Sequence, residues 1–271
     1  MRALYPENKA AQAIRTGRAP IGFFNYIKDT TILDIAGSAG LDFVVIDGEH
    51  AVMDRETIEH MILAAQLNGL TPMVRIPDLI PWLMRNYMEM GAQAILVPHI
   101  KSREDCRRAQ EALRYPPEGS ASCCRSIHED GYRPANWMDY LEWAKDIALV
   151  PLIEDPEGVE NVESILDELC PGRDMVMFGK ADYGQALGTL NRDGSINPAV
   201  NVGYRRVIEA CRQRGIWFMA CPSAPSTGQT LADVQKVIDD GCSAVVLNTD
   251  QLMLADAMSQ IVFPCKNMKL R

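Results

Sequence analysis

Strand-length apolar runs alternate with helically spaced segments along the whole chain, and this rhythm limits the available folds more than any single motif. Runs at 21–26, 43–47, 71–76, 92–97, 147–153, 174–178, 216–220 and 243–247 read as strands. Most are near-continuous in apolar residues, as expected of strands buried on both faces of a parallel sheet. Helical segments are predicted at 30–39, from Asp54 to Asn68, around Leu83 to Met88, and at 102–114, 137–145, 159–169, 197–213, 231–240 and 250–262. In the second of these, Ile58, Met61, Ile62 and Ala65 recur at helical spacing behind a capping Asp54. Eight strands, each followed by helical sequence, predict an α/β fold of the closed (β/α)8 type, a TIM barrel, in a single domain over 1–271. An open doubly wound sheet is the alternative, but no G-x-G-x-x-G follows the first strand to support a dinucleotide-binding version. Residues 1–18 read as an N-terminal extension, and 115–137, rich in Pro, Gly, Ser and Cys, as a long active-site loop.

Composition agrees with one large core. The chain has 271 residues, 47% hydrophobic and 23% charged, and a barrel of this type needs about 250 residues. A formal net charge of -9 argues against a nucleic-acid or anionic membrane partner. The eight cysteines are scattered, without a C-x-x-C pair, and read as reduced thiols of a cytoplasmic protein, with Cys123-Cys124 the one candidate reactive pair. Residues 1–18 lack the apolar centre of a secretory signal, and no stretch approaches the ~20 apolar residues of a membrane span.

In barrels the loops leaving the carboxyl ends of the strands hold the chemistry. The second strand ends in Asp47-Gly48-Glu49-His50, the third in Arg75, the fourth in His99, the fifth in Glu154 and the sixth in Gly179-Lys180-Ala181-Asp182. Each has a structural explanation of its own: His50 as a hydrogen-bonded partner of an acid, Arg75 as the mate of a neighbouring strand's carboxylate, Glu154 as a helix cap. Together, on a closed barrel, they converge on one pocket. Glu154 and Asp182 on neighbouring strands suit a hard divalent cation, Mg²⁺ or Mn²⁺, with waters and substrate completing an octahedron. Such an ion polarises a 2-oxo acid and stabilises its enolate. Arg75 supplies a fork of donors to substrate oxygens. His50, oriented by Asp47, is the natural proton carrier near neutral pH.

Ile46-Asp47-Gly48-Glu49-His50, Val74-Arg75-Ile76-Pro77, Gly91-Ala92, Arg114-Tyr115-Pro116-Pro117-Glu118-Gly119, Ile153-Glu154, Gly179-Lys180-Ala181-Asp182 and Leu187-Gly188 occur in an order that resembles the HpcH/HpaI aldolases, class II pyruvate aldolases. Among them are 4-hydroxy-2-oxoheptanedioate and 2-dehydro-3-deoxyglucarate aldolases. The resemblance covers roughly 20–255. It implies a TIM barrel assembled as a homo-oligomer, a hexamer built as a trimer of dimers, with an exchanged C-terminal helix. It implies reversible cleavage of a 4-hydroxy-2-oxo acid to pyruvate and an aldehyde with a divalent metal (Mg²⁺ or Mn²⁺, with Co²⁺ admitted). Glu154 and Asp182 would bind the metal, and His50 paired with Asp47 would move the aldol hydroxyl proton. Arg75 would hold the pyruvate oxygen, and the backbone of Gly179, Lys180, Ala181 and Asp182 would receive the pyruvate carboxylate.

The chain also departs from the family pattern. Gly-Lys-Ala-Asp-Tyr (179–183) stands where Gly-Pro-x-Asp-Leu is usual, and Leu152 stands for a frequent Gln. Ser120 to Cys124 replace the Arg-Gly that often follows Tyr-Pro-Pro-x-Gly, and Phe24 an early Trp. The alternative that these changes suggest is a metal-independent, citrate-synthase-like enzyme of siderophore biosynthesis, condensing an acyl thioester with oxaloacetate. There Lys180, beside Leu152, would be a fixed cation in place of the metal, or in a variant a Schiff-base nucleophile. A non-catalytic oxo-acid-binding homologue is the third reading, against which the set Asp47, His50, Arg75, Glu154 and Asp182 argues. Arg125 and His128, in the long loop, either recognise a second carboxylate on the aldehyde partner or are ordinary solvated loop residues.

Overall fold

The structure is a computed structural model that describes residues 6–124, 126–127, 132, 136–189, 197–222, 231–266 and 268. Its strands are β1 (Ile21–Asn25), β2 (Phe43–Asp47), β3 (Thr71–Arg75), β4 (Ala94–Val97), β5 (Ala148–Ile153), β6 (Met175–Phe178), β7 (Trp217–Ala220) and β8 (Ala244–Thr249). They close in chain order into a barrel, β1 pairing in parallel with both β2 and β8. The helices are α1 (Lys9–Arg15), α2 (Thr31–Ser38), α3 (Arg55–Leu67), α4 (Pro81–Glu89), α5 (Arg103–Ala112), α6 (Trp137–Ala144), α7 (Pro156–Glu160), α8 (Val162–Leu166), α9 (Lys180–Ala186), α10 (Pro198–Arg214), α11 (Leu231–Asp239) and α12 (Asp250–Cys265). None of the described helices is long and apolar enough to cross a membrane.

The near-continuous apolar strands are explained by two cores. Alternate residues point inward: Phe43, Val45, Met73, Leu96, Val150, Leu152, Met177, Met219 and Val246 fill the barrel. The residues between them, including Val44, Ile46, Val74, Ile95, Ile153, Val176 and Val245, pack outward against the helices. With both faces covered, neither set can alternate with polar residues. The predicted strands and the barrel are thus found.

Three elements differ from the sequence reading. Residues 9–15, read as part of a polar extension, form α1 at the amino-terminal end of the barrel. There Ala10 is buried with the inner core and its N–H donates to Thr71 Oγ1 at 3.1 Å. Its buried residues Ala10, Ala11 and Ala13 carry too little apolar surface to stand out in the sequence. The helix predicted at 159–169 is instead α7 and α8, divided at Asn161, whose side chain donates to Lys101 O at 2.9 Å. Finally, the chain after β6 turns at once into α9, where the sequence reading placed only a loop.

The register positions the site. Asp47 lies directly beside Arg75 across β2 and β3. Ile153 lies beside Phe178 across β5 and β6, so Glu154 and Gly179 leave the sheet together. At the seam, buried Asp250 at the start of α12 accepts from Asn25 Nδ2 (2.7 Å) and from the backbone N–H groups of Tyr26 and Ile27 (3.0 Å each), tying α12 to the end of β1.

Candidate active site

Asp47 is fully buried and organises the mouth of the barrel from the end of β2. Its Oδ1 accepts the backbone N–H of Glu49 at 2.8 Å and of His50 at 3.1 Å, folding the turn that follows the strand. Gly48 is needed there because its backbone presses on β3: its N–H donates to Arg75 O at 2.8 Å, and a Cβ would also lie 2.8 Å from that oxygen.

Arg75 fills the space above Asp47. Its Nε donates to Asp47 Oδ1 at 3.2 Å and its Nη2 to Asp47 Oδ2. Nη2 also donates to the Tyr26 hydroxyl at 3.2 Å, while Nη1 lies 3.1 Å from Glu49 Oε2. The guanidinium carbon stands 4.9 Å from the Phe24 ring centroid. Burial opposes the Asp47 charge, but the hydrogen bond and charge of Arg75, with help from Tyr26 and the His50 amide, hold its carboxyl below the usual range. Burial also opposes the Arg75 charge, and Asp47, Glu49 and Tyr26 more than restore it. Glu49 goes the other way: burial first, and then Asp47, raise its pKa against the pull of Arg75, His50 and His99.

A second carboxylate pair faces this clamp. Glu154 is only 3% exposed, and its Oε1 accepts the His99 N–H at 2.9 Å. Burial, then Asp182 and Glu49, raise its pKa, although His99 opposes them. Gly179 permits this arrangement, because a Cβ there would lie 2.7 Å from Glu154 Cβ. Asp182 follows in the first turn of α9. Among the described residues no group of three or more His, Cys, Asp or Glu is arranged to hold a metal ion.

His99 adds an imidazole on the same rim. Its φ of 53° is left-handed, a conformation a non-glycine residue holds only under constraint from its surroundings. Its Nδ1 is 2.9 Å from Asp155 Oδ2 and 3.6 Å from Glu154 Oε1, and Lys101 Nζ is 3.3 Å from Asp155 Oδ1. Burial would lower the His99 pKa, but Asp155, Glu154 and Glu49 raise it.

The family model for "HpcH/HpaI aldolase/citrate lyase" matches residues 20–249. The chain belongs to the HpcH/HpaI family. That places it among carbon–carbon lyases. The chain is 32% identical to the hydroxypyruvate/pyruvate aldolase of Deinococcus radiodurans over 77% of this chain and 76% of that one. It is 27% identical to the 5-keto-4-deoxy-D-glucarate aldolase of Salmonella paratyphi C over 92% of each. Among solved structures, the citrate synthase SbnG superposes with a TM-score of 0.82 at 28% identity, over 96% of this chain and 98% of that one.

The HpcH/HpaI barrel brings Asp47, His50, Arg75, Gly179 and Glu154 to its mouth and puts Asp182 within electrostatic reach of Glu154. It changes three expectations. Asp47 holds the backbone of His50, not its ring; among the described residues the carboxylate paired with the half-exposed imidazole is that of Glu49, with Oε2 3.8 Å from Nε2. Arg75 does pair with a neighbouring strand's acid, so its fork is already engaged by Asp47 and Glu49. Lys180 turns away from the mouth. Its ammonium lies 4.2 Å from the Tyr204 ring centroid, and burial between α9 and α10 lowers its pKa. It is therefore in no position to replace a metal or to act as a nucleophile beside Glu154. Arg125 and His128 lie outside the described residues.

Tyr26, Asp155 and the role of His99 are what the sequence reading missed. Tyr26 follows β1 as Glu154 follows β5, and that position was its signal. Asp155 was hidden by its place before Pro156 at the start of α7, which reads as a helix start.

Proposed function

We propose that the barrel mouth is the active site of a divalent-metal-dependent aldolase, which reversibly cleaves a 4-hydroxy-2-oxo acid to pyruvate and an aldehyde. The observation that carries this reading is the Glu154 carboxylate, buried at the barrel mouth, where burial first and then the charges of Asp182 and Glu49 raise its pKa. A buried carboxylate within electrostatic reach of two others fits a site for a hard cation. Glu154 and Asp182 would hold it, and two carboxylates with waters and substrate oxygens are a usual set for Mg²⁺ or Mn²⁺. When bound, the ion would supply Lewis-acid stabilisation of negative charge on the 2-oxo oxygen.

The protein's own groups do the rest. Arg75, rigid between Asp47, Tyr26 and Phe24, directs N–H donors toward the same oxygen, with Glu49 as the partner that yields to substrate. The backbone at Gly179 to Asp182 receives the carboxylate. In cleavage His50 accepts the proton of the 4-hydroxyl as the C3–C4 bond breaks. The electron pair passes to the pyruvate enolate, and protonation at C3 then gives the methyl group. In synthesis the same steps run backwards. The name of the Deinococcus radiodurans relative, a hydroxypyruvate/pyruvate aldolase, supports pyruvate as the 2-oxo acid.

A protein surface also needs a partner in this reading. Along α12 the exposed apolar residues include Leu252, Met258 and Ile261, more than one helix of a monomer usually presents. This supports a homo-oligomer with α12 in the contact.

The test is methyl-proton exchange of pyruvate in D₂O, followed by NMR with Mg²⁺ or Mn²⁺ and then with EDTA. Metal-dependent exchange that is lost in Glu154→Ala and His50→Ala is the expected result. Its absence with either metal would overturn the aldolase reading.

One observation favours a second reading, a metal-independent condensing enzyme that joins an acyl thioester to oxaloacetate. His99, with Nδ1 3.6 Å from Glu154 Oε1, is a protein group that, when protonated, would put positive charge beside the carboxylate that the first reading gives to a metal. The likeness to the citrate synthase SbnG agrees with it. Citrate formation that persists in EDTA would select this reading.

A further inference from the structure

Away from the mouth, on the outer side of the barrel, α10 and α11 enclose a cavity of about 140 Å³ beneath the first residue of α9. Its lining includes Lys180, Asn201, Tyr204, Arg205, Lys236 and Asp240. Cations outnumber acids among these described residues. Asp240 is the one acid, and it is already paired with Lys236 at 3.2 Å. Arg205 forms no ion pair with any described residue. The Lys180 ammonium reaches inward to the Tyr204 ring.

An independent observation points to a ligand. Tyr204 is 5% exposed, and its hydroxyl is buried without a hydrogen-bond partner. Buried polar groups in folded proteins nearly always have a partner, and an orphaned donor in the wall of a cavity marks the place of a missing water or ion. The donors here are the ammonium groups of Lys180 on α9 and Lys236 on α11, with a phenol O–H, a guanidinium and an amide from α10. A planar carboxylate offers two oxygens to such a set. A tetrahedral oxyanion offers more, in directions that match separate donors. A cavity of about 140 Å³ has room for a small oxyanion.

We propose that this cavity is a second, non-catalytic site that binds phosphate or the phosphoryl group of a small metabolite, held by Lys180, Arg205, Lys236 and the Tyr204 hydroxyl. The groups that hold the anion are side chains directed away from the mouth, Lys180 lending only its backbone to the mouth, so the site does not depend on which reaction the mouth performs. Its position does connect it to the mouth: Lys180 opens the helix that carries Asp182 in its first turn.

The experiment is calorimetric titration with inorganic phosphate, and separately with glycerol phosphate, at constant ionic strength. Saturable binding at one site is expected. Arg205→Ala and Lys236→Ala, both at exposed positions, should each weaken it about tenfold, the worth of one charge-assisted hydrogen bond. His50→Ala should leave it unchanged. Tyr204→Phe should weaken binding too, with no loss of thermal stability in phosphate-free buffer. Tighter glycerol phosphate binding would identify a phosphoryl metabolite as the source, and tighter inorganic phosphate the free ion. The proposal is overturned by non-saturable heats, by binding that survives both cation deletions, or by binding that disappears in His50→Ala. A Tyr204→Phe protein already destabilised without phosphate would also overturn it, since the hydroxyl would then have a partner within the protein.

Discussion

Arg75 and Asp47 are register partners on adjacent strands, and the guanidinium donates to both oxygens of a carboxylate with no exposure to solvent. The pair is a structural keystone as well as a catalytic candidate, because Asp47 also folds the turn that carries Glu49 and His50. Removing one member leaves the other charge buried and alone. Asp47→Ala should therefore destabilise the protein by about 3–5 kcal/mol, read from urea unfolding. The folded pKa of Asp47 is depressed. Its contribution is therefore complete above the unfolded carboxyl pKa and is lost as pH falls through the lower folded value. Wild-type stability should fall with acid over that window, and the slope should be smaller in Asp47→Asn.

Glu154 should behave in the opposite sense. Its pKa is raised on folding, with burial the largest cause, so its ionised form is less favourable in the folded protein than in the unfolded chain. Without metal, Glu154→Gln should keep the bond from the His99 N–H and gain about 0.5–2 kcal/mol, as substitutions that relieve a functional site often do. Thermal melts in EDTA would check this, and pyruvate exchange should be lost in the same variant. Added Mn²⁺ should raise the melting temperature of wild type and leave Glu154→Gln unmoved. A metal-free gain that fails to appear would show that Glu154 serves the fold rather than the site.

The barrel was legible because burial on both faces removes alternation, leaving eight apolar runs whose ends mark the mouth. Asp47, Arg75 and Glu154 were legible for the same reason: each is an ionisable residue directly behind a buried run. What was not legible depended on direction. Lys180 sits at a strand end like the others, but it is the first residue of α9, and its side chain leaves toward α10. A strand-end position tells where a Cα lies, not which way a helical side chain will point. The bond between Asp47 and the His50 backbone likewise depends on the turn geometry around Gly48, which residue types alone do not specify. Helix α1 escaped notice because small alanines pack closely without a strong apolar signal.

Lys180 provides the sharpest contrast between sequence position and structural position. Its ammonium lies against Tyr204, away from Glu154. Lys180→Met should therefore retain metal-dependent pyruvate exchange within about threefold, a change smaller than the loss of one hydrogen bond. Borohydride with pyruvate should trap no adduct in wild type, as judged by intact mass. A trapped lysine adduct that disappears in Lys180→Met would reverse this assignment.

Gly179 tests the mouth from the opposite wall. It is glycine because β6 and the end of β5 leave no space between them: an added Cβ would lie 2.7 Å from Glu154 Cβ. Glu154 cannot give way easily, since its Oε1 is held by the His99 N–H and its side chain is buried. Gly179→Ala should thus displace the carboxylate and α9 together. The expected outcome is a fall in kcat/KM of at least about a hundredfold, as for other misplacements of about 1 Å at a reacting centre. The accompanying stability loss should stay near the 1–3 kcal/mol of an overpacked site. Urea unfolding and steady-state kinetics on the same sample separate the two effects. Activity lost in proportion to folded protein would mean that Gly179 matters only to packing. Activity lost from fully folded protein would mean that the close approach of Gly179 to Glu154 sets the geometry of the mouth.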